Sequence, residues 1–313
     1  MPKFSVIIPL YNKEKSILKT INSVFNQLYT DFEIIIVNDG STDNSFKEIT
    51  KIKHDKLIVF NNTNKGVSEA RNFAMRQANG DYFAFLDADD VWEKNHLHNL
   101  NNLISSFPNC GLYCCNYNFD YGNNNIISTQ FPSLPKDLNW QGIIPDYFLA
   151  SLKYRIAWTS AVAIPKDIIN SIGFFDNKIT LGAGEDTDYW TRIALKRTVA
   201  FTKKISVSYN VSAENRISNI NTSKRKFMKL DKFYEDEKTN LSLKKFNDIQ
   251  RAELAIKHKI IGDKKSSIFY ITHLKFSNIG WKKLILLHSH KFILILLWKI
   301  KQWLKANKID IHS

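Results

Sequence analysis

Asp87, Ala88, Asp89 and Asp90 follow directly on the apolar run 82–86 and set carboxylates at spacing i, i+2. Hard oxygen donors in that arrangement suit Mg2+ or Mn2+, which take one or two carboxylates and complete their shell with water and substrate phosphates. The plainer account is an acidic cap on the following helix, where Asp is favoured. A second polar stretch, 38–43, closes another apolar run with Asn38, Asp39, Gly40, Ser41, Thr42 and Asp43. Asp39 is placed to accept hydrogen bonds from a base edge, while Gly40, Ser41 and Asp43 suit a turn and a helix cap. In a third stretch, Asn64 and Lys65 precede Gly66, which opens a helix carrying Arg71 one to two turns in. A helix start with a cation nearby attracts phosphate. The fourth stretch, 182–192, is Gly-rich at its start and delivers Glu185 and Asp186 to the beginning of a helix. A substrate hydroxyl is a poor nucleophile and needs a carboxylate within hydrogen-bond reach to take its proton. An acidic first helical turn is the plainer account of that pair.

These residues need elements to hold them. Short apolar, β-branched runs at 5–10, 32–37, 57–60, 82–86 and 112–115 predict buried strands. Between them, Ile17, Leu18, Ile21, Val24, Phe25 and Leu28 fall on one helical face, as do Val67, Ala70 and Ala74 after Gly66. Strand–helix–strand alternation at this pace predicts an α/β fold with a mainly parallel central sheet flanked by helices. Ligands in such sheets bind beyond the carboxyl ends of the strands. Tyr11 and Asn12, 38–41, 61–64 and 87–90 all lie there. Residues 120–150 read as a long loop with a short helix near Tyr147. A strand is expected over 158–164, a helix over 165–172 with Pro165 in its first turn, a helix over 188–196, and a strand pair at 199–201 and 205–211.

The chain has 313 residues and a formal charge of +14. Residues 221–313 hold 21 Lys and Arg against 8 Asp and Glu, so nearly all the excess lies there. The change in composition predicts a boundary near 220, with an α/β domain over 1–220, which the resemblance named below implies is the catalytic domain, and a basic, mainly helical region over 221–313. No nucleic-acid reader motif accompanies the charge, so nucleic acid is not an expected partner. A basic tail mixing Trp281 and Trp298 with Leu, Ile and Lys suits an anionic membrane surface. A helical cap with solvated lysines is the plainer account, and the C-terminal helices leave room for a homodimer. Cys110, Cys114 and Cys115 fit no metal spacing and read as buried thiols of a reducing cytosol. His54, His96 and His98 read as surface residues, and His288 and His290 sit in the basic tail. The first apolar run is too short for a secretory signal, and the longest, 292–298, is too short to span a bilayer. A cytoplasmic chain, peripheral on the inner face of the membrane, is expected. Dinucleotide binding is weakly supported, because no Gly-rich fingerprint follows the first strand.

Taken together, FSVIIPLYNKE, IIIVNDGSTDNS, NKGVSEARNFAM, GDYFAFLDADD and GEDTDYWTRIAL resemble the successive signatures of glycosyltransferase family 2, in that family's order and at about its spacing. The resemblance covers residues 3–215. It implies a GT-A fold and an inverting, non-processive transferase using a nucleoside-diphosphate sugar, UDP-linked by expectation. Pro9 and Tyr11 match the loop that packs on the base, Asp39 the acid that reads it, and Asn64 and Arg71 nucleotide-contacting positions. Asp87, Ala88 and Asp89 match the Asp-X-Asp motif, with Asp87 on the ribose side and Asp89 on Mn2+ or Mg2+. Glu185 and Asp186 match the acidic pair whose second member is the catalytic base. Trp158, Thr159, Ser160 and Trp190 lie where the family shapes its acceptor site. The implied acceptor is a glycan or lipid-linked glycan of bacterial surface polysaccharide synthesis. A homologue that binds nucleotide or glycan without turnover is the alternative. The sequence departs from the family in one respect. Residues 209–216 lack the His that some relatives use at the metal or diphosphate, and Arg216 stands in that stretch. The Gln-X-X-Arg-Trp motif of processive synthases is absent, which favours transfer of one sugar or a few.

Overall fold

The computed structural model describes residues 2–216 and 222–306. The chain forms two compact units, Met1–Ile220 with Arg225–Met228, and Asn221–Lys224 with Lys229–Ser313. The first unit opens with β1 (Phe4–Leu10), α1 (Ile17–Phe25), β2 (Phe32–Asp39), α2 (Ser45–Thr50), β3 (Leu57–Asn62), α3 (Val67–Gln77) and β4 (Tyr82–Phe85). It continues through β5 (Val91–Trp92), α4 (His96–Ser106), β6 (Leu112–Asp120), β7 (Ile126–Ser128), β8 (Gln141–Ile143) and α5 (Tyr147–Ala150). It closes with β9 (Val162–Pro165), α6 (Ile168–Ile172), α7 (Glu185–Ala194) and β10 (Val199–Asn210).

The strands form one sheet in the order β3-β2-β1-β4-β9-β6-β10-β5, with β7 paired to β6 and β8 to β10. Strands β3, β2, β1 and β4 are all parallel. Every residue of β1 and β2 is buried, as a parallel strand covered on both faces requires. Strand β9 then runs antiparallel to both β4 and β6, and β10 runs parallel to β6. Two antiparallel steps restore the direction, so β1, β2, β4, β6 and β10 all point their carboxyl ends at one edge. That edge is where the acidic motifs emerge.

Several local expectations differ from what forms. Ile17, Ile21 and Val24 are buried on α1, but Leu28 lies past its end and is exposed. Residues Thr159–Ala161 are a 3-10 turn rather than strand, and Pro165 closes β9 instead of opening a helix. Its missing N–H suits the end of a ladder. The expected strand pair after residue 199 is one strand, β10, with register shifts around Ile205. Helix α7 starts at Glu185, so the acidic pair forms its first turn. Gly184 precedes it at φ 99°, and a Cβ there would sit 2.8 Å from the Met228 sulfur, so only glycine fits.

The second unit is helical: α8 (Tyr234–Thr239), α9 (Leu241–Ile261), α10 (Lys264–Thr272), α11 (Trp281–His288) and α12 (Lys291–Ala306). Asn240 caps α9 by accepting from Leu243 N–H, and Gly262 ends it in a left-handed conformation. Ala252 and Ala255 of α9 pack with Leu274, Ile279 and Leu287. Arg251 is buried between Glu237 at 2.6 Å and Asp248 at 2.9 Å.

Candidate active site

At the carboxyl edge of the sheet, a cavity of about 290 Å3 opens between the ends of β1, β2, β4 and β10 and the starts of α3 and α7. Pro9, Tyr11, Asp39, Asn64, Arg71, Asp87, Ala88, Asp89, Trp158, Glu185 and Asp186 all line it, together with Lys13, Tyr209 and Arg216. Residues as far apart in the chain as Pro9 and Arg216 therefore share one space.

The carboxylates are sorted by their partners. Arg71, 3% exposed, donates to Asp87 Oδ1 at 2.7 Å and to Glu185 Oε1 at 3.3 Å. It thereby ties the end of β4 to the start of α7. Lys13 Nζ lies 2.7 Å from Asp89 Oδ2. Asp90 is fully buried and accepts from Ser160 Oγ at 2.5 Å and from Asn210 N–H at 3.0 Å. Burial and the neighbouring Asp89 and Asp87 push its carboxyl well above the usual range. Asp90 therefore binds β10 to the β4 loop and contributes nothing to the cavity wall. Asp186 accepts Thr187 N–H at 2.6 Å and the Thr159 hydroxyl at 3.4 Å, leaving it on the cavity wall with its side chain oriented. Among the described residues, Asp87 Oδ2 and Asp89 Oδ1 accept no hydrogen bond. Two such oxygens fit Mg2+ or Mn2+, whose remaining positions go to phosphate and water. No described set of three or more His, Cys, Asp or Glu forms a closed metal cage.

Asp39 spends both oxygens on backbone, accepting Lys65 N–H and Gly66 N–H at 2.8 Å each. It thus shapes the turn into α3 while its flank faces the cavity. Trp158 stacks on Tyr117 at 5.1 Å and meets Tyr209 edge-on at 4.4 Å, which holds its indole at the cavity. Trp190 does not reach it. The side chain is 1% exposed and packs on Phe85, Phe175 and Tyr189, so the expected acceptor contact is corrected to a core role. Five residues beyond Glu185, the helical phase turns Trp190 under the sheet rather than toward the opening. His96 is also corrected: it is buried, with Nδ1 2.8 Å from Ser206 Oγ, and burial lowers its pKa to about 3. The three cysteines are buried free thiols, as expected.

Residues 5–165, more than half of the chain, match the family "Glycosyl transferase family 2". The chain belongs to that family. Over 175 residues it is 34% identical to Escherichia coli WfaP, a UDP-Glc:alpha-D-GlcNAc-diphosphoundecaprenol beta-1,3-glucosyltransferase, covering 56% of this chain and 65% of that one. WfgD of the same species carries the same description and is 26% identical over 268 residues, 85% of this chain and 96% of that one. The chain spans 29%, 44% and 36% of the length of the first curated relatives it matches. Its fold is similar to that of S. aureus TarS in complex with UDP-GlcNAc, at a TM-score of 0.61 and 20% identity over 88% of this chain and 82% of that one. The fold of this family 2 member is thus the GT-A type.

Lys13 was not legible as a site residue of this family 2 chain. Lys13 follows the first strand as an ordinary surface lysine would, and its partner lies 76 positions away. Glu185 has a property that spacing does not reveal. Burial and the adjacent Asp186 raise its carboxyl from 4.5 to about 7, against the opposing pull of Arg71. A carboxyl that holds its proton more tightly when folded loses stability as pH rises from its unfolded to its folded pKa. The contribution of Glu185 to stability should therefore decline between about pH 4.5 and 7 and level off above. Glu185→Gln removes this term, so the gap in melting temperature between variant and wild type should move in the variant's favour across that window. A gap that stays constant from pH 5 to 8 would contradict the assignment.

Proposed function

We propose that this protein transfers a single hexosyl or N-acetylhexosaminyl group from a UDP-sugar to a hydroxyl of a lipid-linked glycan, with inversion at the anomeric carbon. The observation that carries the reading is the convergence of Asp186, Asp87, Asp89 and Trp158 on one cavity at the carboxyl edge of the sheet. Asp186 takes the proton of the acceptor hydroxyl as that oxygen attacks the anomeric carbon from the face opposite the diphosphate. Tyr11 and Asn64 flank the nucleotide, and Trp158 offers a ring on which the acceptor sugar stacks. Asp89 and Asp87 are the residues that would hold Mn2+ or Mg2+, which supplies neutralisation of charge on the departing diphosphate. The descriptions of WfaP and WfgD, both UDP-Glc enzymes acting on a diphosphoundecaprenol-linked sugar, support a UDP-hexose donor and a polyprenyl-diphosphate acceptor in polysaccharide synthesis.

The test is thermal stability against a panel of nucleoside diphosphates with and without Mn2+. A ligand that binds only the folded chain raises its melting temperature by mass action. UDP with Mn2+ should raise it by several degrees, and Asp89→Ala should abolish the metal-dependent part. Full stabilisation by UDP in Asp89→Ala would reject the metal assignment, and no stabilisation by any nucleotide would reject the donor class.

The same reading places the enzyme on the inner face of the membrane that carries its acceptor. No described helix is long and apolar enough to cross a bilayer. On α11 and α12, however, Trp281, Ile285, Phe292, Leu296 and Trp298 are each more than half exposed. Residues 264–300 contain seven lysines and no Asp or Glu. An apolar helical surface among cations suits the headgroup layer of an anionic bilayer. The full chain should co-float with phosphatidylglycerol vesicles, less with phosphatidylcholine vesicles, and weakly after Trp281→Ser with Phe292→Ser. Equal recovery with both lipids would remove the electrostatic part, and no flotation would reject the placement.

A further inference from the structure

Two cations reach into the carboxylates of the cavity, and they are built differently. Arg71 is buried, and its planar fork is divided between Asp87 and Glu185. Glu185, 7% exposed, cannot lose it without leaving a buried acid unpaired, whereas Asp87 is 32% exposed. Lys13 meets Asp89 with both side chains slightly open, at 12% and 14% exposure. Its ammonium also donates to the backbone carbonyls of Glu214 at 2.8 Å and Asn215 at 3.5 Å. The Lys13 backbone, by contrast, is pinned. Its N–H donates to Ser45 Oγ at 2.7 Å, and its carbonyl accepts from Ser16 N–H and Ile17 N–H. Asn12 beside it is bonded to Ser41 and Thr42. Only the four-carbon stem is left to move, and a lysine ammonium is a compact charge on a flexible stem.

We propose that Lys13 is an exchangeable counter-cation: it holds Asp89 before the donor arrives and passes to the donor's diphosphate when the metal takes its place. This rests on the transferase reading above. An ammonium on Asp89 Oδ2 and a divalent ion on Oδ1 of the same carboxylate would stand only a few ångström apart and repel each other. A diphosphate entering the same cavity offers the displaced ammonium anionic oxygens within its reach. Metal alone therefore works against the Lys13–Asp89 contact and leaves the ammonium only the carbonyls of Glu214 and Asn215. Metal together with nucleotide gives Lys13 a new partner. The consequence is positive linkage: each ligand tightens the binding of the other. The pinned loop keeps Lys13 at the cavity in both states.

The experiment measures Mn2+ binding to the full chain by the electron paramagnetic resonance signal of free Mn2+, with and without UDP. UDP affinity at saturating Mn2+ is measured by calorimetry. In Lys13→Met, Mn2+ alone should bind roughly tenfold tighter, because a competing charge is gone. UDP with Mn2+ should bind roughly tenfold more weakly, because a phosphate partner is gone. These changes of opposite sign are not what a merely loosened loop would produce. Lys13→Arg, which keeps the charge, should retain most of the wild-type linkage. Unchanged or weaker Mn2+ binding in Lys13→Met would overturn the proposal, as would unchanged UDP binding or equal loss of linkage in Lys13→Arg. Failure of the unaltered chain to bind either ligand would overturn the transferase reading itself, and this proposal with it.

Discussion

Asp186→Asn is expected to lower the rate of sugar transfer by about 10²–10⁴-fold, the range a positioned general base contributes, while UDP affinity stays within about twofold of wild type. The substitution keeps shape and the hydrogen bonds to Thr187 and Thr159. The Asn side-chain oxygen still accepts Thr187 N–H, which lies 2.6 Å from Asp186 Oδ1, and Thr159 still faces the other atom. What disappears is the negative charge and the capacity to take a proton. Asp186 sits in the first turn of α7, beside Glu185. Glu185 does not substitute for it, because its carboxyl is buried against Arg71 and pushed up to about 7. The check is a steady-state assay with UDP-sugar and a polyprenyl-diphosphate sugar, paired with calorimetry of UDP binding. Transfer within tenfold of wild type would remove Asp186 from the role of base. An equal fall in nucleotide affinity would make it a binding residue instead.

Arg71→Met should strongly lower stability. Removing one partner of a buried ion pair costs about 3–5 kcal/mol, because the charge left behind has lost both water and its counter-ion. Here one guanidinium serves two carboxylates from different elements, Asp87 at the end of β4 and Glu185 at the start of α7. The ring of Phe175 lies 5.5 Å from its carbon and closes the remaining side. Methionine fills much of the same volume, so the loss reports charge and hydrogen bonding rather than a cavity. Arg71→Lys should recover only part of it, since an ammonium cannot span both acids as the fork does. Chemical denaturation at pH 8 is the measurement. A loss below 1 kcal/mol would mean that the two acids find other partners or water, and the cross-brace between β4 and α7 would then have to lie elsewhere.

Much of this arrangement is carried by local patterns. Residues 6–10 and 34–37 are continuous apolar runs because their strands are covered on both faces. The face formed by Ile17, Ile21 and Val24 specifies α1, and Gly66 starts α3 at a positive φ that other residues seldom adopt. Alternation of such runs requires crossover connections, and crossovers bring the strand ends 9–13, 39–41 and 87–90 to one edge. The identity of the site, and of the family, follows from that placement plus the order of the acidic motifs.

The tertiary structure alone decided what each charged or aromatic group does there. Asp87, Asp89 and Asp90 look alike in sequence, yet one meets Arg71, one meets Lys13, and one is sealed against Ser160 and Asn210. Trp158 and Trp190 both lie near acids, but only the indole in the turn before β9 faces the cavity, while α7 rotates the other into the core. Local spacing fixes the path of a backbone through one element, because dihedral preferences and burial act over a few residues. Partners 70 or more positions apart are chosen only when the sheet closes and sets which side chains come within hydrogen-bond reach, so the Lys13–Asp89 pair could not be read before the fold was known.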